Sequence, residues 1–540
     1  MKQMGKIFLV ALLCTAMVTL TACGSSQKTA DSSMLLSKAR SMNSQISGVA
    51  PLQDRGMQNE NSIQVNLESV TEFNTEEYKT IEENRLMKVS MSPLSTFSID
   101  VDTASYSNVR RYLEDKQLPP VDAVRIEELV NYFSYDLPEP THEVPFSVTT
   151  ETTQCPWNKD NYLTMIALQG KNVNQDDLPL SNLVFLLDVS GSMNEPMKLP
   201  LLKSSFQLLV EQLGENDKVS IVVYAGSSGV ILEGVRGDEK ERILAALDKL
   251  EAGGSTAGGE GILLAYEMAK KNFIHGGNNR VILATDGDFN VGVSNEGDLT
   301  KLIEEKRKDG IFLSVLGFGT GNIKDNKMET LADKGNGNYA YIDSMTEAKK
   351  VLVNEMGGTL LTIAKDVKIQ VEFNPLKVKE YRLVGYDNRM LRNEDFDDDA
   401  KDAGDIGAGH NVIAFYEIIP YKDGEVIEKS SLKYQSSDIR QEWENEWMEI
   451  RLRYKEPESD VSQKVIHTVT EQDITENPSE NFIFASAVAE FGLLLRNSQY
   501  KAQSSWENVK ARANKAIGDD TEEYRSNFIK LVKSAESLSK

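Results

Sequence analysis

Asp188, Ser190 and Ser192 place a carboxylate and two hydroxyls at alternate positions directly after the apolar run Leu183-Val184-Phe185-Leu186-Leu187. Only oxygen atoms are on offer, which suits a hard divalent cation such as Mg²⁺ and suits zinc poorly. Three donors do not make a site, and two later stretches can add to them. The glycine-rich loop from Gly253 to Gly259 carries the hydroxyl of Thr256, and the run Val281-Ile282-Leu283-Ala284-Thr285 ends in the carboxylate of Asp286. On its own, a D-x-S-x-S string also fits a plain loop or helix N-cap, where Asp and Ser are favoured for hydrogen-bonding reasons.

An unbroken run of Leu, Val and Phe, without polar alternation, reads as a strand buried on both faces at the centre of a parallel sheet. Its polar residues then fall at the carboxyl end, where open α/β sheets bind ligands. From Ser181 to Leu361 the pattern alternates: helix 197–213, strands 218–224 and 229–232, helices 240–250 and 259–272, strand 280–285, helix 298–308, strand 311–317, helix 325–334, strand 338–341 and helix 346–356. That order is a doubly wound sheet with one short antiparallel edge strand.

With these pieces in order, the stretch resembles the von Willebrand factor type A domain, whose metal-ion-dependent adhesion site is written D-x-S-x-S, then Thr, then Asp. The match falls on Asp188, Ser190, Ser192, Thr256 and Asp286, with no element missing. The resemblance implies that Ser190, Ser192 and Thr256 touch the cation directly or nearly so, while Asp188 and Asp286 hold it through waters. Mg²⁺ is the first expectation, with Mn²⁺ or Ca²⁺ as substitutes. A cation held mainly by neutral hydroxyls keeps much of its charge, so an Asp or Glu on a partner protein can complete its shell. Two other readings stay open: a scaffold whose cation is purely structural, and a hydrolase that uses the cation to activate water.

The formal net charge of −24 over 540 residues argues against nucleic acid, because phosphate binding needs a basic footprint. A nucleotide is not expected either. Gly317-Phe318-Gly319-Thr320-Gly321 lacks a third glycine in register, and the loop around Thr256 lacks the lysine of a phosphate-binding loop. At the N-terminus, Lys2 and Lys6 precede an apolar stretch from Ile7 to Leu20, the form of a signal peptide. It closes on Leu20-Thr21-Ala22-Cys23, which resembles the lipobox of bacterial lipoproteins. That resemblance implies cleavage before Cys23, lipid on its sulfur and amine, and an extracytoplasmic protein anchored to the cell membrane or outer membrane without spanning it. Cys14 leaves with the leader and Cys23 takes lipid, so Cys155 has no partner for a disulfide.

Residues 24–89 are polar, with no sustained apolar period, and read as a flexible tether. Order is expected from about residue 91, where 91–140 resembles an accessory region that accompanies the adhesion domain in one family of bacterial lipoproteins. Alternating strands at 146–152 and 162–169, then at 367–373, 379–386, 412–420 and 447–454, suggest a β-sandwich into which the α/β domain is inserted. The expected organisation is a leader at 1–22, a tether at 23–90, an accessory segment at 91–140, sandwich strands at 141–180, the α/β domain at 181–361, returning sandwich strands at 362–456 and a helical region at 457–540. The fold class is therefore α/β: a doubly wound, Rossmann-like domain in a β-sandwich, with a C-terminal helical segment.

Asp395, Asp397 and Asp399 alternate like the start of a calcium loop and form a second cation candidate. The sixth position lacks glycine, however, and Ile406 stands where a bidentate Glu belongs, so a solvated acidic loop fits the composition better. Enzyme signatures are absent from the sequence. His142, His275, His410 and His467 are scattered, with no H-E-x-x-H or G-x-S-x-G string, and Cys155 beside Pro156 and Trp157 reads as a packed turn. The expected role is binding, not catalysis.

Overall fold

Every residue of the strand Ser181–Asp188 is buried in the computed structural model of this chain. The structure describes residues 75–141, 144–174, 177–255, 258–287, 289, 296–355, 358, 361–422, 424–427 and 443–540. Successive side chains of a strand point to opposite faces, and the core divides accordingly. Leu183, Phe185 and Leu187 pack with Leu202, Phe206 and Ile243, whereas Val184 and Leu186 pack with Ile262, Tyr266 and Leu331. Helices therefore cover both faces, which is why the middle of the strand, Leu183 to Leu187, is apolar without a break.

The sheet has six strands in the order Tyr339–Ile342, Ile311–Phe318, Asn278–Thr285, Ser181–Asp188, Lys218–Tyr224 and Ser228–Arg236. All pair in parallel except the last, which is antiparallel to its neighbour. The doubly wound expectation holds. The final helix differs: Met345–Lys349 is α-helical and continues as a π turn over Lys350–Asn354.

The strands flanking this domain form two antiparallel sheets. One runs Met87–Lys88, Val378–Val384, Asn411–Pro420, Tyr162–Gly170, Phe146–Gln154. The other runs Met390–Leu391, Leu94–Ser98, Thr362–Phe373, Glu446–Lys455, Ser462–Thr470, with Gly404–Gly407 added beside Thr362–Phe373. Their inner faces share one core, with Phe97, Ile369 and Val371 of one sheet against Leu168, Leu383 and Tyr416 of the other. Tyr162–Gly170 thus finds its partner across the inserted domain, on Asn411–Pro420. The helix Glu480–Leu495 is apolar nearly all round and is buried accordingly. With Trp506–Lys515 and Tyr524–Leu538 it covers the outer face of the first sheet at Met165, Ala167 and Phe415.

Three boundaries move. Order begins before residue 90: Met87–Lys88 is a strand, and Thr75 and Glu77 donate backbone hydrogen bonds to Gly321 and Ile323 at 2.8 and 2.9 Å. The stretch 91–140 is not a separate segment. Its strand Leu94–Ser98 belongs to the sandwich, and its helices Ala104–Glu114 and Ile126–Asn131 share one core with the C-terminal helices. Ser462–Thr470, expected within the helical region, is an edge strand whose polar, half-exposed residues give no apolar run.

A buried ionic network fastens the inserted domain to the rest. Asp325, Glu329 and Asp333 recur every fourth residue and so share one face of the helix Asp325–Lys334. Arg125 pairs with Asp325 at 2.8 Å, Glu329 at 3.0 Å and Glu128 at 2.9 Å. Arg389 pairs with Glu329 at 2.7 Å, Asp333 at 2.8 Å and Asp100 at 3.3 Å.

Candidate metal centre

Three neighbouring strands end at one point. Asp188 closes the central strand, Tyr224 stands opposite it on the next strand, and Thr285 closes the strand on the other side. The register brings both hydroxyls to the carboxylate: the Tyr224 hydroxyl donates to Asp188 Oδ2 at 3.1 Å, and the Thr285 hydroxyl donates to the same oxygen at 3.3 Å. Asp188 Oδ1 accepts the Ser190 N–H at 2.9 Å, which folds the following loop back over the strand end. Burial pushes the Asp188 carboxyl up to about 6; hydrogen bonds from Ser190 hold it down, and the nearby charge of Asp286 adds to the rise.

The loop then turns through Gly191–Met193 and sets the Ser190 and Ser192 hydroxyls 3.0 Å apart, Ser190 buried and Ser192 exposed. The glycine-rich loop docks beside them by reciprocal backbone bonds. Gly253 N–H donates to Val189 O at 2.8 Å, and Gly191 N–H donates to Gly254 O at 3.0 Å. Gly254 has φ +82° and lies so close to Gly226 that a side chain would press on its backbone nitrogen. Thr256, two residues on, lies outside the described residues. The next helix, Gly258–Lys271, brings Gly261 against Tyr224, where a β-carbon would stand 2.9 Å from the tyrosine Cβ.

Asp286 follows Thr285 and is fully buried, and it accepts a hydrogen bond at 3.1 Å from the ammonium of Lys198, itself nearly buried. Of the five expected residues, Asp188, Ser190, Ser192 and Asp286 are thus gathered at the carboxyl end of two adjacent strands. Sequence reasoning missed Tyr224, Thr285 and Lys198. For Lys198 the signal was a single charge inside Met197-Lys198-Leu199-Pro200-Leu201-Leu202.

The donors fit a hard cation. Octahedral Mg²⁺ holds oxygens at about 2.0–2.1 Å, so adjacent ligands stand about 3 Å apart, the spacing of the two serine hydroxyls. The Lys198 ammonium on Asp286 shows that this end of the sheet already attracts a cation. Among the described residues no three His, Cys, Asp or Glu side chains converge as a metal cluster.

The acidic loop is engaged differently. Asp395 caps its own turn by accepting the Arg392 N–H at 3.1 Å, while Asp397 and Asp399 each accept from the Arg453 guanidinium at 2.9 Å. Lys455 and Lys368 bond the carbonyls of Asp399 and Asp395 at 2.8 and 3.1 Å. The loop is not simply solvated: basic side chains of the sheet hold it down and meet its charge.

A parallel sheet with these residues at its carboxyl edge is a von Willebrand factor type A domain, and residues 182–354 match that family. Residues 72–165 match a family described as von Willebrand factor, and residues 358–538 match the C-terminal part of the uncharacterized protein YfbK. The chain belongs to the YfbK family: it is 43% identical over 472 residues to the uncharacterized protein YfbK of Escherichia coli (strain K12), covering 86% of this chain and 82% of that one. It is also 31% identical over 187 residues to the uncharacterized protein sll0103 of Synechocystis, covering 34% of this chain and 42% of that one. Among solved structures, the von Willebrand factor type A protein from Catenulispora acidiphila aligns with a TM-score of 0.39 at 14% identity, covering 71% of this chain and 89% of that one.

Proposed function

We propose that the α/β domain binds another protein through a divalent cation, Mg²⁺ foremost and Mn²⁺ or Ca²⁺ in its place, held by Asp188, Ser190, Ser192, Thr256 and Asp286. When bound, that ion supplies a positive centre with a position for a partner's Asp or Glu. The observation that carries the reading is the pair of serine hydroxyls 3.0 Å apart, one buried and one exposed, in front of two buried carboxylates. Tyr224 and Thr285 orient Asp188, and Lys198 orients Asp286, so the protein's own residues keep both carboxylates aimed without closing the exposed serine side.

The role we infer is adhesion and not turnover. Both carboxylates near the serines are already engaged, Asp188 by the Ser190 N–H and the Tyr224 and Thr285 hydroxyls and Asp286 by the Lys198 ammonium, which does not favour either as a general base toward water. We also infer that the protein is exported and lipid-anchored at Cys23, on the support of Leu20-Thr21-Ala22-Cys23 behind a basic, then apolar, leader. No helix among the described residues is long and apolar enough to cross a membrane.

The deciding experiment is capture of envelope proteins on the full chain in Mg²⁺, in EDTA, and with Ser190→Ala. Proteins retained only by the unaltered chain in Mg²⁺ support the reading; an identical set in all three arms removes it. A purely structural cation would instead lower the melting temperature in EDTA and leave the captured set unchanged.

A further inference from the structure

Lys198 begins the helix Leu199–Gln212 and is only 4% exposed. Its Nζ lies 3.1 Å from Asp286 Oδ2, with the half-exposed Glu195 carboxylate 3.9 Å away. The aliphatic stem runs along Gly319, whose φ of +75° and missing side chain open the channel; a β-carbon there would overlap three carbons of the lysine. Gly319 is itself fixed, because its carbonyl accepts the Tyr341 hydroxyl at 2.6 Å. Burying an ammonium is costly unless a carboxylate meets it. A methionine would fill the same channel without that cost, so the charge has a use that packing does not explain.

We propose that Lys198 is a built-in counter-cation that sets how tightly the Asp188 site holds its metal and makes the completed site prefer an anionic ligand. The inference rests on the metal-binding reading above. The ammonium already compensates Asp286, so a divalent ion entering beside Ser190 and Ser192 meets only part of the negative charge that two bare carboxylates would present. It is therefore held less tightly. With Asp188 and Asp286 ionised, and the half-exposed Glu195 carboxylate screened by solvent, the ion and the ammonium leave one net positive charge on the buried part of the site, which a single incoming carboxylate neutralises. A neutral residue at 198 brings the same set to zero and takes that attraction away. The motif residues bind the ion, and Lys198 decides how exchangeable it is and what completes its shell.

The test is titration of Mn²⁺ alone into the full chain, followed by the free-ion electron paramagnetic resonance signal, for the unaltered protein, Lys198→Met, Lys198→Gln and Ser190→Ala. Melting curves in EDTA establish that each variant is folded. Both neutral variants should bind Mn²⁺ roughly tenfold to a hundredfold more tightly, the scale on which residues behind the ligands tune a metal site, and their melting temperatures should rise further on adding Mn²⁺. Acetate should tighten Mn²⁺ binding by the unaltered chain more than by Lys198→Met. Equal or weaker Mn²⁺ binding by folded Lys198→Met and Lys198→Gln, beside an unaltered chain that binds, overturns the role of Lys198 and leaves the metal site standing. An equal acetate effect overturns the anion preference. Binding by the neutral variants alone upholds Lys198 as the control while removing metal binding from the natural chain. No binding by any of them, with Ser190→Ala indistinguishable, ends both readings.

Discussion

Among the carboxylates that enter the interior in the described residues, two groups are met on different terms. Between the inserted domain and the sandwich, Asp325, Glu329, Asp333, Asp100 and Glu128 are met by the guanidinium groups of Arg125 and Arg389. At the sheet edge, Asp188 is met by the hydroxyls of Tyr224 and Thr285, and Asp286 by one ammonium. Guanidinium is a permanent cation with a rigid fork of donors, so carboxylates paired with it are committed. Hydroxyls carry no charge and leave a carboxylate's demand for a cation unmet. The first arrangement joins two parts of a chain; the second is where we propose that an ion from solution binds.

The largest effect comes from breaking the committed network. Arg389→Met should destabilise the protein by about 3–5 kcal/mol in urea unfolding, because Asp333 and Asp100 lose their guanidinium partner and Glu329 keeps only one guanidinium, that of Arg125. At the other group, Asp188→Asn should leave the metal-free protein nearly as stable as before, since the amide oxygen can still accept the Ser190 N–H. It should abolish the added stability, about 2.7 kcal/mol, that a ligand at a hundredfold over its Kd provides. Loss of melting temperature by Asp188→Asn in EDTA, comparable to that of Arg389→Met, would erase the distinction.

The pH dependence sharpens it further. Burial pushes Asp325 up to about 6, against the pull of Arg125 and with Glu128 and Glu329 adding to the rise. A carboxyl whose pKa is raised on folding favours the fold most below its unfolded value of about 4, and this contribution is lost as pH rises through about 6. Stability should therefore fall by about 1.4 kcal/mol from this residue between pH 5 and 8. Asp325→Asn, which leaves Arg125 with Glu128 and Glu329, should flatten that slope. The smallest effect is expected where pairing is open to water. The Asp397 side chain is 79% exposed beside Arg453, and Asp397→Asn should change stability by less than about 0.5 kcal/mol.

The difference between the two groups also governs what could be read from the chain. The Asp188 site is assembled from the ends of consecutive strands in one sheet, so its residues follow apolar runs and fall in order along the sequence. Leu183 to Leu187 and Val281 to Ala284 declared both the strands and the carboxylates behind them. The apolar helix Glu480–Leu495 was legible for the same reason. Arg125 and Arg389 gave no such sign, because each meets partners far along the chain from positions in a turn or beside a short helix. Ser462–Thr470 escaped because an edge strand with one fully buried residue has no need of apolar alternation. Lys198 escaped because its meaning depends on Gly319, a residue on another loop.

The N-terminal strap has a mechanical corollary. Thr75 and Glu77 pair with the backbone of Gly321 and Ile323, and Glu76 accepts the Gly321 N–H at 2.9 Å while gripping Tyr112 and Arg111 at 2.6 and 2.9 Å. On its far side that same loop lies against Gly287, where Asn322, Ile323 and Lys324 leave no room for a β-carbon. Tension entering the chain ahead of Thr75 would therefore reach the peptide next to Asp286 through a handful of hydrogen bonds and one glycine contact, loading the carboxyl edge of the sheet at Asp286.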